Sequence, residues 1–215
     1  MNATGSGLPR RRDEARALFR NAILDAAEVV FAERGFHGAR IQDIAAHARI
    51  AVGTVYNHFE QKDDVLSALL EERMEELLLQ LQARPDDPDQ FRQRLEKRVG
   101  RMLAFVERHR PFFAIANDHG LFAGNVASGA RPSARPLRLM AKFRSVFRAL
   151  VEEGIASGDL EAFEPDALAG FLAGTIRASV LWSLAQDGTS ALSHAALIVD
   201  LFLHGASRRR SRRGR

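Results

Sequence analysis

"IQDIAAHARIAVGTVYNHF", residues 41–59, holds two short helical stripes separated by a break of about three residues. Ile41, Ile44 and Ala45 share one side of the first stripe, and Val52, Val55 and Phe59 one side of the second, because helical neighbours lie three and four apart. Neither segment reaches the roughly 12–15 residues that a helix needs to persist alone in water. Each must lean on a longer helix. The preceding stretch supplies one over about residues 13–34: Ala17, Phe19, Ile23, Leu24, Ala27, Val30 and Phe31 recur at helical steps, and Gly35 in "ERGF" is the stop. A long helix followed by two short ones across a tight turn is the helix-turn-helix arrangement.

If Val52, Val55 and Phe59 hold the second short helix to its neighbours, then Gly53, Thr54, Asn57 and His58 face outward. A face that is small at its N-terminal end and hydrogen-bonding further along suits insertion into a DNA major groove. Gly53 is informative because glycine costs up to about 1 kcal/mol in a helix. Its presence there points to close approach by a partner.

The stretch "IQDIAAHARIAVGTVYNHFEQKDDVL" resembles the TetR family of transcriptional regulators in Ile44, Ala45, Gly53, Thr54, Tyr56, Phe59, Lys62 and Leu66, over about residues 13–70. The resemblance implies an all-α protein with an N-terminal three-helix DNA-binding domain and a C-terminal helical domain for ligand binding and dimerisation. It implies that Thr54, Tyr56, Asn57 and His58 meet bases and phosphates, and that Lys62 meets the DNA backbone. Val52 and Gly53 join them at the start of the reader helix, and Arg40 and Gln42 at the start of the helix before it. The chain departs from the family pattern in three ways: Ala39 and Arg40 stand where a Thr or Ser cap is usual, Arg49 where the turn often has Gly, and Ala51 where a Ser cap is common. A left-handed Arg49 would cost of order 1 kcal/mol.

Composition supports a folded chain and removes several chemistries. Of 215 residues 46% are hydrophobic, and there is no cysteine, so disulfides, thiolate metal sites and thiol nucleophiles are excluded. The seven histidines show no metal-ligand spacing, no glycine-rich phosphate loop follows a strand, and no serine sits in a nucleophile-elbow pattern. The expectation is a non-enzyme with neither cofactor nor metal. The net charge of +4 is uninformative in bulk, because the tail "SRRRSRRGR" carries six arginines and the other 206 residues sum to −2. Two basic arms are expected, at residues 1–12 and 207–215. The N-terminal stretch lacks the apolar run of a secretory signal, and "ALAGFLAGTIRASVLWSLA" is broken by Arg177, which would cost roughly 2.5–3.5 kcal/mol at a bilayer centre. A buried helix and a cytoplasmic protein are expected.

From these patterns the DNA-binding domain spans 13–62 and the effector and dimerisation domain 63–206. A long amphipathic helix starts at Lys62 and stops before Pro85 and Pro88; further helices are expected at about 89–109, 137–156, 165–186 and 190–205, with a long loop at 118–136. The last two helices are apolar nearly all round, so they require cover on both sides. The resemblance implies a homodimer through them, with reader helices about 34–36 Å apart on a palindromic double-stranded operator. Phe112, Phe113, Asn117, Phe122, Phe143 and Phe147, with Arg177 and Trp182, mix aromatic bodies with few polar groups, as small-molecule pockets do. Arg177, a charge amid apolar surface, is expected to need a carboxylate. Two readings remain open: a ligand-responsive repressor, and an architectural or partner-regulated DNA-binding protein without a small effector.

Overall fold

The computed structural model describes residues 7–118, 134–186 and 188–206, and among these it is helical with no strand. The elements are α1 (Gly7–Gly38), α2 (Ile41–His47), α3 (Val52–Tyr56), α4 (Lys62–Leu79), α5 (Phe91–Arg108), α6 (Arg110–Asp118), α7 (Ala134–Ala156), α8 (Pro165–Ala185), a 3-10 turn (Ala191–His194) and α9 (Ala195–Ala206). The chain divides into two compact units, Met1–Arg73 and Met74–Arg215. The division lies eleven residues beyond the 62/63 boundary expected from sequence, because the first part of α4 packs into the N-terminal unit. The tail 207–215, the loop interior 119–133 and Phe122 lie outside the described residues. The N-terminal arm expected to end at residue 12 is helical from Gly7.

In the N-terminal unit, Ile23, Leu24, Ala27 and Phe31 of α1 are buried with Ile44 and Ala45 of α2, Val55 of α3 and Val65 and Leu69 of α4. Gly35 breaks α1 at φ 67°, ψ 166°, a left-handed conformation that a side chain would strain. One buried cation closes the unit. Arg73 is 5% exposed; its Nε donates to Glu28 Oε2 at 2.7 Å and its Nη2 to Asp25 Oδ1 at 2.6 Å. These bonds reach from α4 back to α1 and account for the late boundary.

The C-terminal unit is built on α5, whose stripe of Phe91, Leu95, Val99, Met102, Leu103 and Val106 is buried as its periodicity predicts. It packs on α9 and the 3-10 turn, while α7 lies against α8. A polar hub sits beside this core. Asp87, 4% exposed, accepts from Arg98 Nε at 2.8 Å, Arg101 Nη1 at 2.5 Å and the Arg84 backbone N–H at 3.0 Å. Arg98 in turn donates to Glu153 Oε2 of α7 at 2.6 Å, so the loop after α4, α5 and α7 share one ion network.

The apolar helix α8 has the length and hydropathy of a membrane span, but one face (Leu168, Ala169, Leu172, Ile176 and Val180) is buried within the C-terminal unit. The expectation of cover on both sides is not met within one chain. Phe171 and Trp182 are 70% and 53% exposed on α8, and Leu197 and Leu201 are 54% and 59% exposed on α9. Arg177 lies on this exposed face rather than amid the core. In the single chain it reaches solvent and is not enclosed among apolar side chains.

Candidate nucleic-acid interface

The geometry of the reader helix follows from its turn. The residues after α2 close a Schellman motif: the Ile50 N–H donates to the Ala45 carbonyl at 3.0 Å and the Arg49 N–H to the Ala46 carbonyl at 3.2 Å. This motif requires a left-handed residue, and Arg49 supplies it at φ 56°. An arginine accepts there a strain of order 1 kcal/mol that glycine would avoid. Ala51 then sits at the N-cap of α3 in extended geometry (φ −69°, ψ 143°) with no side-chain cap. At α2 the cap is replaced from the other direction: Asp43 accepts the Arg40 N–H at 3.1 Å and pairs with Arg34 at 2.7 Å. The acidic side chain also favours the positive end of that helix.

The helix itself is shorter than the 52–59 expected. It ends at Tyr56, and Asn57 to Phe59 form a closing turn in which the His58 and Phe59 N–H groups both donate to the Val55 carbonyl at 2.9 Å. The inside–outside division nevertheless matches the pattern. Val55 and Phe59 are buried; Gly53, Tyr56 and Asn57 are exposed; Val52, Thr54 and His58 are intermediate. Arg40 and Gln42 at the start of α2 are exposed as well. These eight expected residues therefore lie on or at the rim of solvent-facing surface of α2, α3 and its closing turn. A Cβ built on Gly53 meets nothing within 4 Å, so nothing inside the protein requires glycine there.

Lys62 is the exception among the expected contacts. Its Nζ donates to the carbonyls of Phe36 (2.5 Å), Ala39 (2.9 Å) and His37 (3.5 Å), and it stands 4.4 Å from the Phe36 ring centroid. A cation over carbonyls at a helix end is favourable twice, through charge-assisted hydrogen bonds and through the helix dipole. Lys62 thus seals the end of α1, with its ammonium engaged by the protein's own carbonyls. Substituting Lys62→Met is expected to lower the stability of the N-terminal unit by about 1–2 kcal/mol, read as a lower midpoint in chemical denaturation. An unchanged midpoint with lost operator binding would return Lys62 to the interface.

His58 has a distinct electrostatic setting. Burial, then the positive charges of Arg16 and Arg20 on α1, lower its imidazole from the ordinary histidine value and favour the neutral form.

The residues expected to line an effector pocket are not gathered around one. Phe112, Phe113 and Phe147 are core, with the Phe112 and Phe113 rings edge-on at 5.2 Å, while Phe143 is partly exposed and stacks on Phe147 at 6.4 Å. Asn117, Arg177 and Trp182 are exposed on α6 and α8. An aromatic stripe at helical spacing marked core here, and this is the correction to that set. An open cavity of about 670 Å³ in the C-terminal unit lies instead between the end of α4 and α7. Leu78, Leu79 and Val146 form apolar wall, with Arg138 and Lys142 contributing positive charge and Glu75 pairing with Lys142. Sequence reasoning missed this site because its residues alternate with charges and read as ordinary helix surface.

Comparison with known proteins agrees with this geometry. The family model "Bacterial regulatory proteins, tetR family" matches residues 23–69. The chain is 29% identical over 149 residues to the Fatty acid metabolism regulator protein of Bacillus subtilis, covering 65% of this chain and 69% of the relative. It is 34% identical over 123 residues to the HTH-type transcriptional repressor BepR of Brucella suis, covering 55% of this chain and 58% of that protein. In fold, it is similar to the crystal structure of FadR from Bacillus subtilis in complex with stearoyl-CoA, with a TM-score of 0.70 at 22% identity over 86% of this chain and 97% of the other. These relatives are transcriptional regulators, not enzymes. With a matched reader domain on a solvent-facing helix-turn-helix, residues 23–69 form a DNA-binding domain of the tetR family of bacterial regulatory proteins, and the chain is a DNA-binding transcriptional regulator.

Proposed function

We propose that the protein is a cytoplasmic repressor that binds a palindromic operator as a homodimer and releases it when an amphipathic anionic effector enters the C-terminal unit. The observation that carries the DNA-binding part is α3: a buried inner side fixes a small, hydrogen-bonding outer side that is left open among the described residues. On this reading, Gly53, Thr54, Tyr56 and Asn57 enter the groove while Arg40 and Gln42 approach the backbone. Dimerisation is supported by the apolar surface left open on α8 and α9, larger than isolated surface residues would make. Cover by a second copy would satisfy Phe171, Trp182, Leu197 and Leu201 together.

The effector class follows from the cavity between α4 and α7. Its apolar wall suits an acyl chain, and Arg138 and Lys142 suit an anionic head group. FadR of Bacillus subtilis binds stearoyl-CoA in its crystal structure, which supports an acyl-thioester for this chain too. Release is a matter of linkage: an effector that binds more tightly to a conformation with poor operator affinity lowers that affinity by the same factor.

The test starts from a duplex selected by the protein out of a random pool. Fluorescence anisotropy is expected to show saturable binding that stearoyl-CoA reverses, with sedimentation giving a dimer. Trp182 is the only tryptophan, so its emission reports burial of the α8 face directly. Absence of any selected duplex would refute the DNA-binding part; a duplex that is bound but indifferent to acyl-thioesters would refute the effector.

A further inference from the structure

A second cationic feature of the N-terminal unit is not explained by the groove-facing side of α3. Asp13, Arg16, Ala17 and Arg20 of α1 and His58 line an open cleft of about 360 Å³. Asp13, Arg16 and Ala17 are exposed on the early part of α1, and His58 reaches the cleft from the turn that closes the reader helix. The charges around it differ in how far they are compensated. Arg20 is paired with Glu72 of α4 at 2.8 Å. For Arg16 there is no carboxylate within ion-pair distance among the described residues. On the segment that carries His58, Glu60 is exposed and the Lys62 ammonium is turned away onto the carbonyls of Phe36 and Ala39.

We propose that Arg16 and His58 clamp one backbone phosphate of the operator, and that closing the clamp places a proton on the imidazole, so that acid tightens DNA binding. This rests on the reading of α3 as the reader helix. A guanidinium and an imidazolium converging on one open cleft beside that helix have the chemistry for a phosphate oxygen: two charge-assisted donors of fixed direction. Burial is the main cause of the lowered imidazole, and the charges of Arg16 and Arg20 that add to it also attract the phosphate. Once the phosphate is seated, its charge offsets that of Arg16, and the imidazolium becomes the favoured form. The proton comes from solvent. By linkage, a protein that takes up a proton on binding DNA binds more tightly as pH falls. Asp13, on the wall of the cleft, limits the site to one phosphate by opposing a second anion.

The experiment uses the full-length protein and the duplex it selects, with anisotropy read from pH 5.5 to 8 and across salt. Wild type is expected to bind about tenfold more tightly at pH 5.5 than at pH 8. His58→Asn, which cannot take up the proton, is expected to lose most of that pH dependence. Arg16→Gln, at an exposed position that leaves the fold intact, is expected to weaken binding about tenfold and to flatten the salt slope by about one unit of logarithmic dependence. Circular dichroism checks that both variants are folded. An unchanged salt slope in Arg16→Gln, or an unchanged pH profile in folded His58→Asn, overturns the clamp while wild-type binding leaves the DNA-binding reading standing. If the His58 ring resonances of free protein move with millimolar inorganic phosphate, yet Arg16→Gln binds the duplex normally, the cleft is a free-anion site and the proposal fails. Wild type binding no duplex at all would overturn both.

Discussion

Replacing Asp87 by alanine is expected to remove about 3–5 kcal/mol of stability, the range for deleting one partner of a buried ion pair. The carboxylate is almost fully buried and accepts from two guanidinium groups and one backbone N–H, so its loss leaves Arg98 and Arg101 facing each other without it. Arg98 keeps Glu153; Arg101 keeps the carbonyls of Gln80 and Gln82. Against a typical total of 5–15 kcal/mol this is a large fraction, and a fall in the thermal midpoint of about 10 °C checks it. The pH dependence has a definite sign. Burial alone would raise the Asp87 carboxyl, but the bonds from Arg101, Arg98 and the Arg84 N–H outweigh it and hold the group well below the ordinary value of 3.8. The unfolded chain therefore binds the proton first, and the contribution of Asp87 is complete above about pH 4 and lost as pH falls below it. Wild type should lose stability between pH 4 and 2.5 more steeply than the alanine variant; parallel curves would remove Asp87 from the account.

Gly53→Leu is expected to separate folding from binding. The position is exposed, its backbone is helical, and added atoms meet nothing in the protein, so the fold tolerates the side chain and gains some helix propensity. Against a base edge the same side chain has no room. Overpacking and lost contacts of roughly 1–3 kcal/mol each predict a loss of operator affinity of about thirtyfold or more when two contacts are displaced. Wild-type affinity in this variant would show that α3 does not enter the groove as proposed.

Much of the fold was legible because it rests on repetition. The stripes on α1, α2 and α5 gave their helices and buried faces, and the punctuation at Gly35 gave the end of the first. The left-handed Arg49 was legible only through the family resemblance, because it stands where the turn often has Gly. Other features depend on partners that leave no trace in the local pattern. Lys62 looked like a surface cation at a helix start because the carbonyls it caps belong to residues 36–39 and have no side-chain signature. Asp87 sits in "RPDDPD", which reads as a solvated break between helices, yet it is the centre of an ion network. Arg177 was misplaced because α8 is so apolar that periodicity did not say which side faces the core. The cavity between α4 and α7 was hidden for the opposite reason, as its lining is too charged to look like a pocket.

The bonds from Arg73 to Asp25 and Glu28 set a rule for anyone building hybrid regulators from this chain. A reader module cut at residue 62, where the helix-turn-helix pattern ends, would leave two acidic side chains of α1 without their cation and expose the face that Val65 and Leu69 cover. The smallest transplantable cassette therefore runs through Arg73, and a splice placed one helical turn later keeps both the cation and its helix. Grafts joined earlier should express as loosely ordered fusions, with specificity lost for want of a scaffold.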